Sequence, residues 1–178
     1  MKYRTIVADP PWDIGDFPAN LHAQGQGATP CPYPSMEVEE IADLPVSDLA
    51  EKDAHLYLWT TNQFLESGYF VARSWRFTPV KVLVWAKAPK GRGLGGTYAS
   101  ATEYILFCRR GSLAALGRVD RNWWQWRRGS HSEKPEAFLD VVESISPGPY
   151  LELFARRQRL GWDTYGDEAL EHVQMGAA

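Results

Sequence analysis

Thr5-Ile6-Val7-Ala8-Asp9-Pro10-Pro11-Trp12 places a short β-branched and apolar run directly before an acid and two prolines. Such a run, closed by turn residues, predicts a buried parallel strand with Asp9 at its carboxyl end. In open α/β sheets that end is where ligands bind. The two prolines fix the backbone and are expected to leave the Pro10 carbonyl without a ladder partner. A carboxylate, a free carbonyl and the Trp12 indole then meet within one turn. That combination suits a flat ring bearing an amino group: the oxygens accept from its NH2 and the indole stacks on its face. The plainer reading is an Asp that starts a β-turn. The strand before it and the tryptophan after it favour the ligand site.

Outward from this turn, turn signals and apolar runs alternate. A Gly/Pro-rich stretch from Asp13 to Pro34 reads as a long irregular loop, a length usually reserved for function or disorder. Short helices are expected at Glu37–Ile41 and Val46–Lys52. His55-Leu56-Tyr57-Leu58-Trp59 predicts a second buried strand. Thr60-Thr61-Asn62 is a polar set suited to capping a helix from Gln63 to Ser74. Pro79–Trp85 and Glu103–Cys108 predict further strands, separated by a glycine-rich loop, Ala88–Gly96. A helix over Pro135–Ser144 begins on a proline. Tyr150–Phe154 reads as a fifth strand and Trp162–Tyr165 as a short sixth. Strands alternating with helices predict an α/β domain with a largely parallel sheet, a single domain over 1–178.

Composition bounds the function. With 178 residues, 44% hydrophobic, the chain has enough material for an ordinary core. No segment reaches the apolar length of a membrane span, and Met1-Lys2 leads straight into the first strand, so neither a membrane nor a signal peptide is expected. Cys31 and Cys108 lack metal-site spacing; Cys108 reads as a core residue, no metal is expected, and reduced thiols fit the cytoplasm. The net charge of −3 conceals a sorted distribution. Glu37–Asp53 carries seven acids against Lys52 alone, whereas Arg109–Arg128 carries six arginines against Asp120, with Trp123, Trp124 and Trp126 among them. Arg156, Arg157 and Arg159 form a second basic cluster. Concentrated arginines interleaved with indoles suit phosphate contacts and stacking on unpaired bases. The alternative is that the indoles pack against the domain and the arginines are merely solvated.

Direct methylation of an exocyclic amine fits the first turn and requires neither metal nor covalent intermediate. The amine's lone pair is delocalised into the ring. Two acceptors on its N–H groups draw it toward tetrahedral geometry, and orientation toward an in-line methyl donor supplies much of the acceleration. Three further segments are weaker alone. Ser130-His131-Ser132-Glu133-Lys134-Pro135 reads as a helix start, with His131 a turn residue more readily than a base. Leu151–Arg156 is a strand ending in an arginine. Gly161–Glu168 places acids after a short strand, where they could hold ribose hydroxyls or simply be solvated.

The order of these segments resembles the adenine-N6 methyltransferase family that includes the catalytic subunit of the messenger-RNA N6-methyladenosine writer, in a compact bacterial or phage form. The resemblance runs from Ala8-Asp9-Pro10-Pro11-Trp12 through Tyr33-Pro34-Ser35-Met36, Leu58–Asn62, Val84–Lys87, Glu103, His131–Pro135 and Leu151–Arg156 to Gly166-Asp167-Glu168. It implies a Rossmann-like, S-adenosylmethionine-dependent fold with permuted motif order, the catalytic motif preceding the cofactor motif. Carried over by position, Asp9, Pro10, Pro11 and Trp12 form the catalytic motif, with Asp9 and Pro10 on the target amine and Trp12 and Tyr33 toward the base. Lys134 approaches the methionine end of the cofactor, which Asp9 also faces, and Phe154, Arg156, Gln158, Asp167 and Glu168 line its adenosine. Separately from the resemblance, Arg127 and Arg128 of the basic segment are expected to contact the substrate. Two departures stand out: Asp167 occupies a position where the family often has Asn, and Arg157-Gln158-Arg159 replaces a frequent Asn or His pair.

The resemblance implies a nucleic-acid substrate. A base within a duplex cannot reach Asp9, so the adenine must be flipped or unpaired. DNA is favoured over RNA because two cysteines cannot build the zinc fingers of RNA-directed relatives. RNA is the alternative substrate, and a non-catalytic nucleic-acid-binding subunit is the alternative role. Cytosine methylation is disfavoured because related enzymes there usually carry Ser in place of Asp. With no separate recognition domain visible, a homodimer or partner subunit is expected to supply the missing surface.

Overall fold

A computed structural model describes residues 1–13, 34–88, 97–127 and 133–165. The expected loops at Asp13–Pro34 and Ala88–Gly96 lie almost wholly outside these residues, as do Tyr33, Arg128, Ser130, His131, Asp167 and Glu168. The described elements are β1 (Tyr3–Ala8), α1 (Val38–Asp43), α2 (Val46–Leu49), β2 (Ala50–Thr60), α3 (Leu65–Ser74), β3 (Thr78–Ala88), β4 (Thr102–Arg110), β5 (Trp123–Arg127), α4 (Glu136–Ile145), β6 (Tyr150–Leu153) and β7 (Trp162–Tyr165). They build one seven-stranded sheet in the order β5-β3-β4-β2-β1-β6-β7. The pairings β1·β2, β1·β6, β3·β5 and β6·β7 are parallel, and β4 runs antiparallel to both its neighbours. The α/β class and the largely parallel sheet are as the sequence predicts.

Because side chains alternate across a strand, the sheet separates two cores. Ile6, Ala8, Leu56, Leu58, Leu106, Leu151 and Leu153 face α1 and α3, where Val71, Ala72 and Trp75 close over them. Val7, Tyr57, Trp59, Trp85 and Ile105 face α4, which contributes Phe138, Leu139 and Val142. The spacing of those three on α4 gives one apolar stripe, and Pro135 stands as its N-cap. The end of α4 is fixed by Ser146, whose Oγ lies 2.8 Å from both His55 Nδ1 and the Tyr57 hydroxyl. Burial drives the Tyr57 phenol up to about 12. It likewise pushes the Cys108 thiol up to about 12, in keeping with a core residue.

Four local expectations are corrected. The helix expected over Val46–Lys52 ends at Leu49, because Ala50 already pairs with Tyr3 and opens β2. Thr60, Thr61 and Asn62 do not cap α3: its N-cap is Phe64, without a side-chain cap bond. The arginine/tryptophan segment contains an unexpected strand, β5, on the edge beside β3. The fifth expected strand stops at Leu153, and Phe154 takes a left-handed φ of 62°. For a non-glycine residue that conformation costs on the order of 1–3 kcal/mol.

Candidate active site

At one end of the sheet β1, β3, β4 and β6 exchange apolar side chains for charged ones, on the α4 face. Asp9 follows Val7 by two positions, and Val7 pairs with Glu152. Glu103 precedes Ile105 by two, and Lys87 follows Trp85 by two; Trp85 itself pairs with Glu103. Period-two alternation therefore brings Asp9, Glu152, Glu103 and Lys87 to the same side. Lys134, just ahead of α4, completes the group. Its Nζ lies 2.8 Å from Asp9 Oδ2 and 3.3 Å from Glu103 Oε2, and Lys87 Nζ lies 2.6 Å from Glu103 Oε1. Lys134 also sits over the Trp59 ring, 5.2 Å from its centroid.

The electrostatics follow from low solvent access. The Lys134 side chain is 20% exposed and Glu103 15%. Burial acts against the Lys134 ammonium, but Asp9 and Glu103 outweigh it and hold its pKa above the ordinary lysine value. For Glu103 burial acts upward, and Lys134 and Lys87 outweigh it, so this carboxyl is lowered. Among the described residues Glu152 forms no such ion pair. Burial pushes its carboxyl up to about 7; Arg157 pulls down, Asp9 pushes further up and Arg159 pulls down. Its Oε2 is buried and has no hydrogen-bond partner among the described residues. An orphaned carboxylate oxygen beside a lysine-bridged carboxylate pair is a place prepared for a cation or a hydrogen-bond donor.

The structure revises what the first turn does. Asp9 stands at the carboxyl end of β1 as expected, its N–H reaching Leu153 O at 3.4 Å. The Pro10 carbonyl is not free: the Trp12 N–H donates to it at 2.9 Å, leaving one lone pair. Pro11 O accepts from Met36 N–H at 2.8 Å, which ties the turn to the chain before α1. Trp12 does not offer a stacking face in this conformation. It is 8% exposed, stacked on Phe64 at 5.5 Å, and its Nε1 donates to Trp59 O. Its indole braces the turn that aims Asp9.

Among the expected cofactor residues, Lys134 reaches the site, and Phe154 and Arg156 follow β6 half-buried. Gln158 is exposed on the turn that leads to β7. The second basic cluster is largely structural. Arg157 pairs with Glu133 and Glu136, while Arg159 pairs with Asp140 and Glu143, so both grip α4 and its approach. The first basic cluster is divided. Arg109 and Arg110 lie at the end of β4 opposite Asp9, where they donate to Leu113 O and Ser47 O. Arg118, Arg121 and Arg127 remain exposed. Of the indoles, Trp123 is 56% exposed, whereas Trp124 and Trp126 stack on one another at 5.4 Å.

Sequence reasoning assigned no role to Glu103, Lys87, Trp59 or Glu152. For Glu152 a signal existed: a lone carboxylate at the centre of the apolar run Tyr150-Leu151-Glu152-Leu153-Phe154.

The MT-A70 family pattern matches residues 3–168. The chain is 32% identical to the Type II methyltransferase M.MunI of a Mycoplasma species, over 94% of this chain and 78% of that protein. It is 27% identical to a Drosophila melanogaster N(6)-adenosine-methyltransferase MT-A70-like protein and 25% identical to the human N(6)-adenosine-methyltransferase catalytic subunit METTL3. Those two matches cover 94% of this chain but only 27% and 28% of the relatives, so the chain spans about a quarter of their length. With the match running from β1 past β7, the chain belongs to the MT-A70 family of methyltransferases.

Proposed function

We propose that this protein is an S-adenosylmethionine-dependent adenine-N6 methyltransferase that acts on DNA, on an adenine that is flipped or unpaired. The observation that carries the reading is the Asp9 carboxylate, held at 2.8 Å by Lys134, beside the orphaned Glu152 oxygen. The residues fit the methyl donor by charge. Three carboxylates (Asp9, Glu103, Glu152) and two ammoniums (Lys87, Lys134) leave a site with one negative charge when all are ionised. The donor carries a sulfonium, an ammonium and a carboxylate, one positive charge in all. Glu152 and Asp9 suit its cationic groups, and Lys134 suits its carboxylate. Phe154, Arg156 and Gln158, with Asp167 and Glu168 beyond the described residues, are proposed for its adenosine.

When bound, S-adenosylmethionine supplies an electrophilic methyl and departs as a thioether. The chain's residues supply orientation. Lys134 occupies Asp9 Oδ2, so Oδ1 and the remaining lone pair of Pro10 O are the acceptors for the two amine hydrogens. Accepting from both draws electron density back onto nitrogen, and Asp9 then takes the proton released as the N–C bond forms. Trp12 and Pro11 hold this turn in place through Phe64, Trp59 O and Met36. Tyr33 is proposed near the base.

DNA is favoured by the match to a type II methyltransferase, a class that modifies DNA, over most of that protein's length. The same reaction on RNA is the second reading, favoured by the N(6)-adenosine-methyltransferase relatives. Arg127 and Arg128 are proposed to contact phosphates, with a second copy or a partner subunit completing the surface. No helix among the described residues is long and apolar enough to cross a membrane, and the cytoplasm is the proposed location. Methyl transfer from labelled cofactor to single- and double-stranded DNA and RNA, followed by nucleoside analysis, tests the whole reading. N6-methyladenine in DNA is expected, and its appearance in RNA alone would reverse the substrate assignment. Asp9→Ala is expected to abolish transfer while cofactor binding remains measurable.

A further inference from the structure

A cavity of about 590 Å3 opens on the α4 face of the sheet, away from Asp9. Its bottom is aromatic: Tyr57 and Phe107, whose rings lie 5.1 Å apart. One wall is the apolar flank of α4, Val141 and Ile145, and the other is Trp124 on β5. The segment 117–122 crosses its mouth and brings Arg118 and Arg121 to the rim, opposite Lys81 of β3. Arg118 is paired with Asp120. Lys81 and Arg121 form no ion pair among the described residues.

The placement relative to the catalytic cluster follows from strand register. On β3, Leu83 lines the cavity and Lys87 contacts Glu103, four residues further along the same face. At about 3.3 Å per residue the two places are roughly 13 Å apart. Beside them on β5, Trp126 pairs with Lys87 and Trp124 with Trp85. The two indoles stack at 9° between planes. One face of Trp124 is thus covered by Trp126 and the other borders the cavity.

We propose that this cavity is a second base site, receiving an unpaired nucleobase a short way along the strand from the target adenine. The inference rests on the nucleic-acid reading above. The base continues the Trp126–Trp124 stack, its edge meets the hydrocarbon of α4, and Lys81 and Arg121 hold the adjoining phosphate. Of the polar groups nearby, the Tyr57 hydroxyl meets Ser146 and Asn122 Nδ2 donates to Val82 O. Gripping a base chiefly by its face makes the site tolerant of sequence. An apolar peptide would satisfy the walls but leave the cationic rim unanswered; a polyanion satisfies both.

Single-stranded oligonucleotides carrying the target adenine and one 5-iodouracil at successive flanking positions test this directly. Irradiation is expected to attach one position, and not the others, to the peptide containing Trp124. An abasic site at that position should raise KM about tenfold with kcat unchanged, the loss of one stacked base. In Trp124→Leu the same abasic site should have no further effect, and Arg121→Glu, an exposed change that spares the core, should raise KM alone. Attachment spread evenly over all positions, or an abasic penalty that survives in Trp124→Leu, overturns the proposal. So does a face that serves a second copy, seen as Arg121→Glu changing the mass in light scattering without changing KM. If no oligonucleotide is methylated but attachment at Trp124 persists, the catalytic reading fails and the base site stands. If transfer proceeds without any flanking dependence, the reverse holds.

Discussion

Replacing Glu152 by Gln separates the cost of a buried charge from its use. In the folded protein the Glu152 carboxyl is held at about 7 against an ordinary 4.5, chiefly by burial, with no hydrogen-bond partner for Oε2 among the described residues. The folded state keeps a proton that the unfolded chain has already released, so stability falls as pH rises from about 4.5 to about 7. Outside that window the Glu152 contribution is constant. At about 1.4 kcal/mol per pH unit the full loss is about 3 kcal/mol. A glutamine at this position cannot ionise and escapes it. Urea unfolding of the apoprotein at steps from pH 5 to pH 8 should therefore show Glu152→Gln gaining up to about 3 kcal/mol over the parent at the alkaline end and converging with it at the acid end.

The methyl donor should reverse the sign. If Glu152 Oε2 receives a cationic group of the donor, binding pulls the carboxyl down and the parent gains stability that the variant does not. The rise in Tm on adding S-adenosylmethionine should then be larger for the parent, and calorimetry in two buffers should detect proton release near pH 7 in the parent alone. Parallel stability curves for the two proteins would show that Glu152 is already satisfied. An equal donor-induced rise in Tm would show that it does not face the donor.

Other expectations follow from the same geometry. Lys134→Met leaves Asp9 and Glu103 facing each other in a site with little water; about 3 kcal/mol of stability should be lost, as for one partner removed from a buried pair, read by denaturant unfolding. Trp12→Ala should cost about 3–5 kcal/mol as a core truncation, whereas Trp12→Phe, which keeps a ring against Phe64, should retain most transfer activity; a Phe variant as inactive as Asp9→Ala would restore a direct role for the indole. His55 is buried between Ser146 and Leu113 O, and burial, with Arg109 adding to it, lowers its pKa despite the Leu113 bond. The unfolded chain then takes up a proton first, so stability should decline as pH falls below about 6.5, and His55→Asn should flatten that limb. Arg127→Ala with Arg128→Ala should reduce the salt dependence of binding to single strands by about 0.7 for each phosphate that is no longer neutralised.

Strand positions were legible because burial writes itself as runs such as His55–Trp59 and Tyr150–Leu153. Asp9 was legible because proline follows it at once. What escaped depends on contacts distant in sequence. Nothing near Glu103 announces Lys134, and nothing near Trp12 announces Phe64, so an indole built into the core reads like a platform waiting for a base. Strand β5 was hidden by its own composition: Trp123-Trp124-Gln125-Trp126-Arg127 has aromatic residues on both faces, and only pairing with β3 shows which are covered. The pairing of Arg157 and Arg159 was hidden because the acids that claim them lie on α4 and the segment leading into it.

That clamp bears on catalysis, because α4 begins next to Lys134. Arg159 grips Glu143 through two bonds, Nε to Oε1 at 2.9 Å and Nη2 to Oε2 at 3.1 Å, and the Trp162 indole donates to the same carboxylate at 2.7 Å. Lysine keeps the charge but cannot reproduce the fork. Arg159→Lys should cost about 1 kcal/mol, since both side chains retain some solvent, and a cycle with Glu143→Gln should assign most of that to the pair. If α4 is what holds Lys134 at Asp9, the same change should raise KM for S-adenosylmethionine more than it lowers kcat. A stability loss with unaltered KM would mean that Lys134 is positioned by Asp9 and Glu103 alone, and that the helix merely roofs the sheet.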